Sequence, residues 1–128
     1  MTAADVARVL AAGAAAAQCG TAFLRAEEAG TSPVHRRALE ACASGTGFPT
    51  TALTRSFSGR WARGLENAFM HSHPDAPAAY PEVNVLTGPL KRAAAAAGDP
   101  DGTSLWAGVG AAQARTGPAA GILRGLTP

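Results

Sequence analysis

The residues that could do chemistry in this chain are few, and most stand in short clusters. Gln18-Cys19-Gly20-Thr21 closes a small, apolar run. A cysteine becomes a nucleophile when a base or positive field lowers its pKa, and the sequence puts no base near Cys19. A small buried thiol is its ordinary state. Gly20 can allow a close approach that a side chain would block, and Thr21 adds a hydroxyl. Taken alone, such a pair is more often a turn than a ligand site. His71-Ser72-His73 offers two imidazoles, but a zinc site needs three or four protein ligands and no third is spaced with them, so a solvated loop is expected. His35 lies among charged residues and reads as exposed. Arg55, Arg60 and Arg63 surround Trp61. Eleven Lys and Arg against nine Asp and Glu leave a net charge of only +2, so these arginines read as packing and ion-pair residues and not as a nucleic-acid face.

The elements that must carry these residues are mostly helical by pattern. Val6, Val9 and Leu10 recur at helical spacing over residues 3–12, with Gly13 where a C-terminal cap belongs. Residues 14–19 are a continuous small apolar run that could be a buried strand, although alanine is a poor strand former. Ser32 as N-cap and Pro33 at the first position announce a helix over 33–43 with Val34, Ala38, Ala41 and Cys42 inward. Arg36 and Glu40 are set to pair on its outer face. Residues 50–57 read as extended chain and Ser58-Gly59-Arg60 as a turn, after which Leu65, Ala68 and Phe69 begin a short helix. Pro74, Pro77 and Pro81 make 74–84 an extended connector. A helix is expected from Thr87-Gly88-Pro89 to Gly98, then a turn at Asp99-Pro100-Asp101-Gly102. A last long helix over 104–115 follows, and Gly117-Pro118 divides it from a short terminal one.

Composition sets the outer limits. At 128 residues the chain has room for one modest core. Hydrophobic residues make up 47%, but much of that is alanine and aromatics are only 5%, so the buried area per residue is small. Two cysteines, Cys19 and Cys42, make neither a disulfide framework nor a metal pattern, and reduced thiols in a cytoplasmic protein are expected. Residues 1–10 lack a signal-peptide pattern, and the run at 6–19 is too short and alanine-rich to cross a bilayer.

Three stretches, in this order, resemble the nitronate monooxygenase family, also called 2-nitropropane dioxygenases. They are Gln18-Cys19-Gly20-Thr21-Ala22-Phe23-Leu24 with Ser32-Pro33, then Leu53-Thr54-Arg55-Ser56-Phe57-Ser58-Gly59-Arg60 through Asn67, and Tyr80-Pro81 through Leu86-Thr87, Pro89-Leu90, Ala96-Ala97-Gly98-Asp99 and Ser104-Leu105-Trp106-Ala107-Gly108. The resemblance implies an α/β fold, the C-terminal fragment of a (β/α)₈ (TIM) barrel, with one βα unit followed by mainly helical structure. Residues 1–24 would hold the last helix, strand and phosphate loop, and 25–128 the helical remainder. It implies non-covalently bound FMN, oxidation of alkyl nitronates with dioxygen, and flavin contacts from Gln18, Cys19, Gly20 and Thr21. Barrels place phosphate sites in the loops after their last strands, where a glycine lets backbone N–H groups approach the phosphate. Trp106 would either face the flavin or fill the core.

The departures are an alanine-rich strand, Trp61 in place of a small residue or proline, and Val109 where the family commonly has glutamine. None of the three histidines matches the family's catalytic one. A full barrel takes about 250 residues, so the chain is expected to be inactive by itself, with residues 14–19 lacking neighbours and Val6, Val9, Leu10 and Phe23 uncovered. The alternatives are a fragment that works as a partner-dependent structural subunit, a small helical interaction protein, or a related flavin barrel such as an enoyl reductase.

Overall fold

The computed structural model describes residues 1–128 as a mixture of helix and strand. The first helix, α1, spans Ala3–Ala11. Thr2 caps it reciprocally: its hydroxyl accepts from the Asp5 amide, and the Asp5 carboxylate accepts from the Thr2 amide at 2.9 Å. Gly13 follows at φ 95°, the left-handed conformation expected of a C-terminal glycine. Helix α2 runs Pro33–Ser44 from the Ser32 cap to Gly45 at φ 72°, as its sequence punctuation predicts, and buries Val34, Ala38 and Leu39. The expected Arg36–Glu40 pair does not form. Arg36 instead donates to the carbonyls of Ala26, Ala29 and Thr31 at 2.6, 2.7 and 3.3 Å, pinning the loop ahead of the helix, while Glu40 stands 4.0 Å from Arg25. Unpaired loop carbonyls compete better for a guanidinium than an exposed carboxylate does.

A two-stranded antiparallel hairpin occupies the middle of the chain. Strand β1 is Thr51–Thr54 and β2 is Ala62–Leu65, with Thr51 opposite Leu65 and Thr54 opposite Ala62. Leu65 therefore ends a strand and does not begin a helix. The short helix α3 starts at Ala68 and ends at Ser72, capped by the Asn67 side chain on the Met70 amide. The helix expected over 104–115 is absent. The Leu65 amide donates to the Leu105 carbonyl at 2.9 Å, and the Ala107 amide to the Arg63 carbonyl at 3.1 Å, with Gly64 opposite Trp106. The open edge of β2 has captured this backbone, and only residues 111–113 coil, as a 3₁₀ turn.

Helix α4, Glu82–Ala97, begins well before the predicted Thr87 and absorbs the end of the proline connector. Pro89 lies inside it. The carbonyl that loses its partner belongs to Val85, a residue 70% exposed, so water can satisfy it. Two α4 side chains hold the hairpin: Thr87 Oγ1 and Lys91 Nζ donate to the Phe57 carbonyl at 2.6 and 3.2 Å. Gly98 ends the helix at φ 72°, and the Asp99 carboxylate then accepts the Asp101 amide, shaping the predicted turn. Helix α5, Ala119–Leu126, closes the chain and packs on α1.

The core is made of Ala38 and Leu39 of α2, Leu65 of β2, and Leu105, Ala107 and Ala111 of the captured segment. Three of these six are alanines, so backbones come close together. The predicted strand at 14–19 is neither helical nor laddered: no amide of residues 15–22 donates within the chain, and no carbonyl of residues 14–19 accepts. With no neighbouring strand to pair with, it stays an unladdered run. The uncovered surface expected beside it is smaller than predicted, because Val6 is buried and Val9 and Phe23 are half-buried, leaving Leu10 exposed. Close backbone approach gives a test. A Cβ on Gly64 would lie 2.9 Å from the Leu105 carbonyl oxygen, whereas one on Gly30 would meet nothing. Gly64→Ala is expected to cost about 1–3 kcal/mol in denaturant unfolding, and Gly30→Ala to stay within about 0.5 kcal/mol of the parent.

Candidate functional site

Within the segment 18–21, Cys19 lines an apolar groove of about 340 Å³ together with Val6, Leu10, Phe23, Leu123 and Leu126. Gln18 and Gly20 are exposed, and Cys19 and Thr21 half-buried. The Cys19 thiol donates to the Met1 sulfur at 3.0 Å. No imidazole or carboxylate is hydrogen-bonded to it, so nothing here prepares a nucleophile.

Thr21 is the anchored member. Its hydroxyl accepts the Gly108 amide at 2.8 Å, across 87 positions of sequence, which ties the segment to the residues just after Trp106. Gly20 differs. Its φ of −88° and ψ of −60° suit any residue, and a Cβ built there meets nothing within 4 Å. The chain's own packing therefore does not call for a glycine. The amides of Gly20, Thr21 and Ala22 have no partner within the chain. Of the four predicted contact residues, the structure brings Thr21 to the core segment and leaves Gln18, Cys19 and Gly20 along an open face.

The remaining polar candidates are occupied elsewhere. His71 Nε2 meets Glu66 Oε1 at 2.8 Å, while His73 stacks on Phe69 at 4.2 Å and bonds its carbonyl through Nδ1. The Thr50 hydroxyl first, and His71 second, hold the Glu66 carboxyl below its ordinary range. His35 is not exposed as expected. Burial pushes its pKa below the usual histidine value, opposed by the Trp106 backbone, and its Nε2 is sealed without a partner. Arg55 lies 4.6 Å over the exposed Trp61 ring, and Trp106 sets its edge against buried Phe57 at 5.8 Å, so Trp106 is at least partly a packing residue. Sequence reasoning passed over Asn84, Lys91, Arg92 and Thr103, which line an open groove beside α4. The signal was present: no acid stands between Glu82 and Asp99, leaving Lys91 and Arg92 without an acidic partner within a turn or two of their own helix.

Two measurements test this geometry. Thr21→Val leaves the Gly108 amide unpaired and is expected to cost about 1–3 kcal/mol, whereas Thr21→Ser restores most of the stability in the same unfolding assay. For His35 the folded-state pKa lies below the unfolded one, so the unfolded chain binds more protons. Stability is fully present above about pH 6.5 and falls as the pH drops through the folded-state pKa. A melting-temperature profile from pH 8 to about pH 5 should show that decline, and His35→Phe should flatten it.

The sequence pattern of the nitronate monooxygenase family matches residues 1–128. Among curated relatives, the nitronate monooxygenase of Pseudomonas aeruginosa is 44% identical over 118 residues, covering 89% of this chain and 32% of that protein. That of Paraburkholderia phytofirmans is 38% identical over 130 residues, covering 98% and 34%. A solved structure of nitroalkane oxidase from Streptomyces ansochromogenes superposes with a TM-score of 0.91 at 51% identity, covering 98% of this chain and 35% of that one. The chain thus spans about a third of the length of these relatives. No helix is long and apolar enough to cross a membrane. The match over every residue, the superposition and the Thr21–Gly108 tie between two of the motif stretches lead to one conclusion: this chain belongs to the nitronate monooxygenase family, whose named relatives are oxidoreductases.

Proposed function

We propose that this chain is the C-terminal part of an FMN-dependent nitronate monooxygenase of the cytoplasm, oxidising alkyl nitronates with dioxygen. In this reading residues 14–21 are the last strand of a (β/α)₈ barrel and its phosphate loop. The observation that carries it is the unpaired backbone of that stretch. Residues 15–19 have unpaired amides and carbonyls alike, as a central barrel strand would without its two neighbours, and the amides of Gly20, Thr21 and Ala22 continue the row. Gly20 sits where packing does not demand glycine, which suits a position kept open for phosphate. These residues fit the group: the three amides would hold the phosphate oxygens, Gln18 and Cys19 would border the flavin, and the Gly108 amide would hold Thr21 in place. Bound FMN would supply the redox chemistry.

The same observations support a chain that works only with the rest of a barrel. His71 and His73 are engaged by Glu66 and Phe69, the half-buried His35 has its Nε2 sealed without a partner, and none of the three matches the family's catalytic histidine. The chain alone, supplied with FMN, is therefore expected to consume no oxygen with an alkyl nitronate. Joined to the upstream part of the Pseudomonas aeruginosa relative, it should yield a yellow protein that retains flavin through gel filtration and consumes oxygen only with nitronate. Gly20→Leu in that chimera should lose flavin while keeping the folded circular-dichroism spectrum. A folded chimera without flavin, or one whose oxygen uptake ignores nitronate, overturns the proposal.

A further inference from the structure

Beside α4 lies an open groove of about 750 Å³, lined chiefly by polar residues and separate from the 18–21 segment. Asn84, Gly88, Lys91 and Arg92 form its α4 wall; Ser32, Thr103 and Ser104 face them. No carboxylate lines it, and neither Lys91 nor Arg92 takes part in any ion pair of the chain. Lys91 Nζ donates to Asn84 Oδ1 at 2.8 Å and to the Phe57 carbonyl at 3.2 Å, which leaves one N–H free and fixes the ammonium on the wall. Burial, and after it the neighbouring Arg92, lowers the Lys91 pKa. The opposite charge of a nearby anion would offset both effects. Arg92 is exposed and its whole donor fork is uncommitted; Gly88, one turn earlier, keeps space for it, since a Cβ there would approach Nη1 to 3.3 Å. Thr103 is 93% buried by its 7% exposure, yet its hydroxyl and that of Ser104 find no partner within the chain and are not sealed from the groove. A fixed ammonium, a free guanidinium fork and two unpaired hydroxyls, with no opposing acid, are a set of donors without an acceptor.

We propose that this groove binds a small oxyanion, held by Arg92 in a bidentate pair and by Lys91 as a point charge, with the Thr103 and Ser104 hydroxyls as neutral donors. The chemistry is shared by planar oxyanions such as a nitronate or nitrate and by tetrahedral phosphate, and the two have different sources: a substrate, or the phosphate of a nucleotide or flavin. Every residue of the groove is on this chain, so binding there requires neither bound flavin nor the proposed reaction.

The test is a titration of the flavin-free full chain with sodium nitrate and, separately, with inorganic phosphate, at constant ionic strength made up with chloride, followed by amide chemical shifts. Saturable shifts of the residues 88–92 and 103–104 amides are expected. Arg92→Ala should weaken binding about tenfold or more, and Arg92→Lys should recover only part of it. Arg124→Ala, the same charge change on exposed α5, should leave it unaltered. Preference for nitrate points to a substrate and preference for phosphate to a cofactor or nucleotide, and either supports the site. Linear shifts that do not saturate, or equal weakening by Arg92→Ala and Arg124→Ala, overturn it. Arg92 is on the surface, so the variant is expected to fold, and the unchanged remainder of the amide spectrum verifies that.

Discussion

The capture of residues 105–107 by the open edge of β2 is the interaction on which the rest of the structure depends. The hydrogen bonds from Leu65 to Leu105 and from Ala107 to Arg63 are made across about forty positions of sequence, and they need Gly64, because any side chain there would strike the Leu105 carbonyl. Once the segment is fixed, Leu105, Ala107 and Ala111 face Ala38 and Leu39 of α2, and the core exists. Asn67 reinforces the same seam, capping α3 while its amide donates to the carbonyls of Pro100 and Thr103 at 2.9 Å each. A core half made of alanine has little area to bury, so its stability leans on backbone pairing and on buried polar groups that are satisfied.

That seam also positions both candidate ligand surfaces. Gly108, one residue beyond the captured rung, reaches Thr21 and holds the 18–21 segment to the body of the chain. Thr103 and Ser104, just before it, form one wall of the α4 groove. The opposite wall is held by Thr87 and Lys91, which converge on a single carbonyl, that of Phe57, in the turn of the hairpin. Phe57 itself is buried and packs against Phe69 and Trp106, so the aromatic cluster, the hairpin turn and α4 are joined through this one residue. The unladdered run at 14–19 is the exception. It is tied down only at its ends, by the Ala14 amide on Val9, by the Cys19 thiol on Met1 and by the turn at 20–24.

The conformations of chain ends of elements were legible from sequence because their causes are local. Ser32 with Pro33, and the glycines at 13, 45 and 98, each satisfy or terminate helix backbone within four residues, and every one acts as its type and position imply. The turn at Asp99 is of the same kind. The family pattern was likewise legible, since it is a statement about residue order, and it directed attention to Gly20 and Thr21.

What only the tertiary structure decided is where backbone and side-chain polar groups find partners far along the chain. Residues 104–115 carry a helix-like pattern, but Gly64 offers an edge at close range and the ladder wins. Residues 14–19 could be strand by pattern, but a strand needs neighbours and the chain provides none. Arg36 and Glu40 have the spacing to pair, but the loop carbonyls of residues 26–31 are nearer to the guanidinium. Lys91 and Arg92 look like ordinary solvated charges until Thr103 and Ser104, brought opposite by the β2 seam, turn their helix face into one wall of a groove. Local sequence determines what each residue can do within a turn of its own position. The fold decides which of those capacities remain uncommitted, because that depends on partners fixed by pairing over long separations.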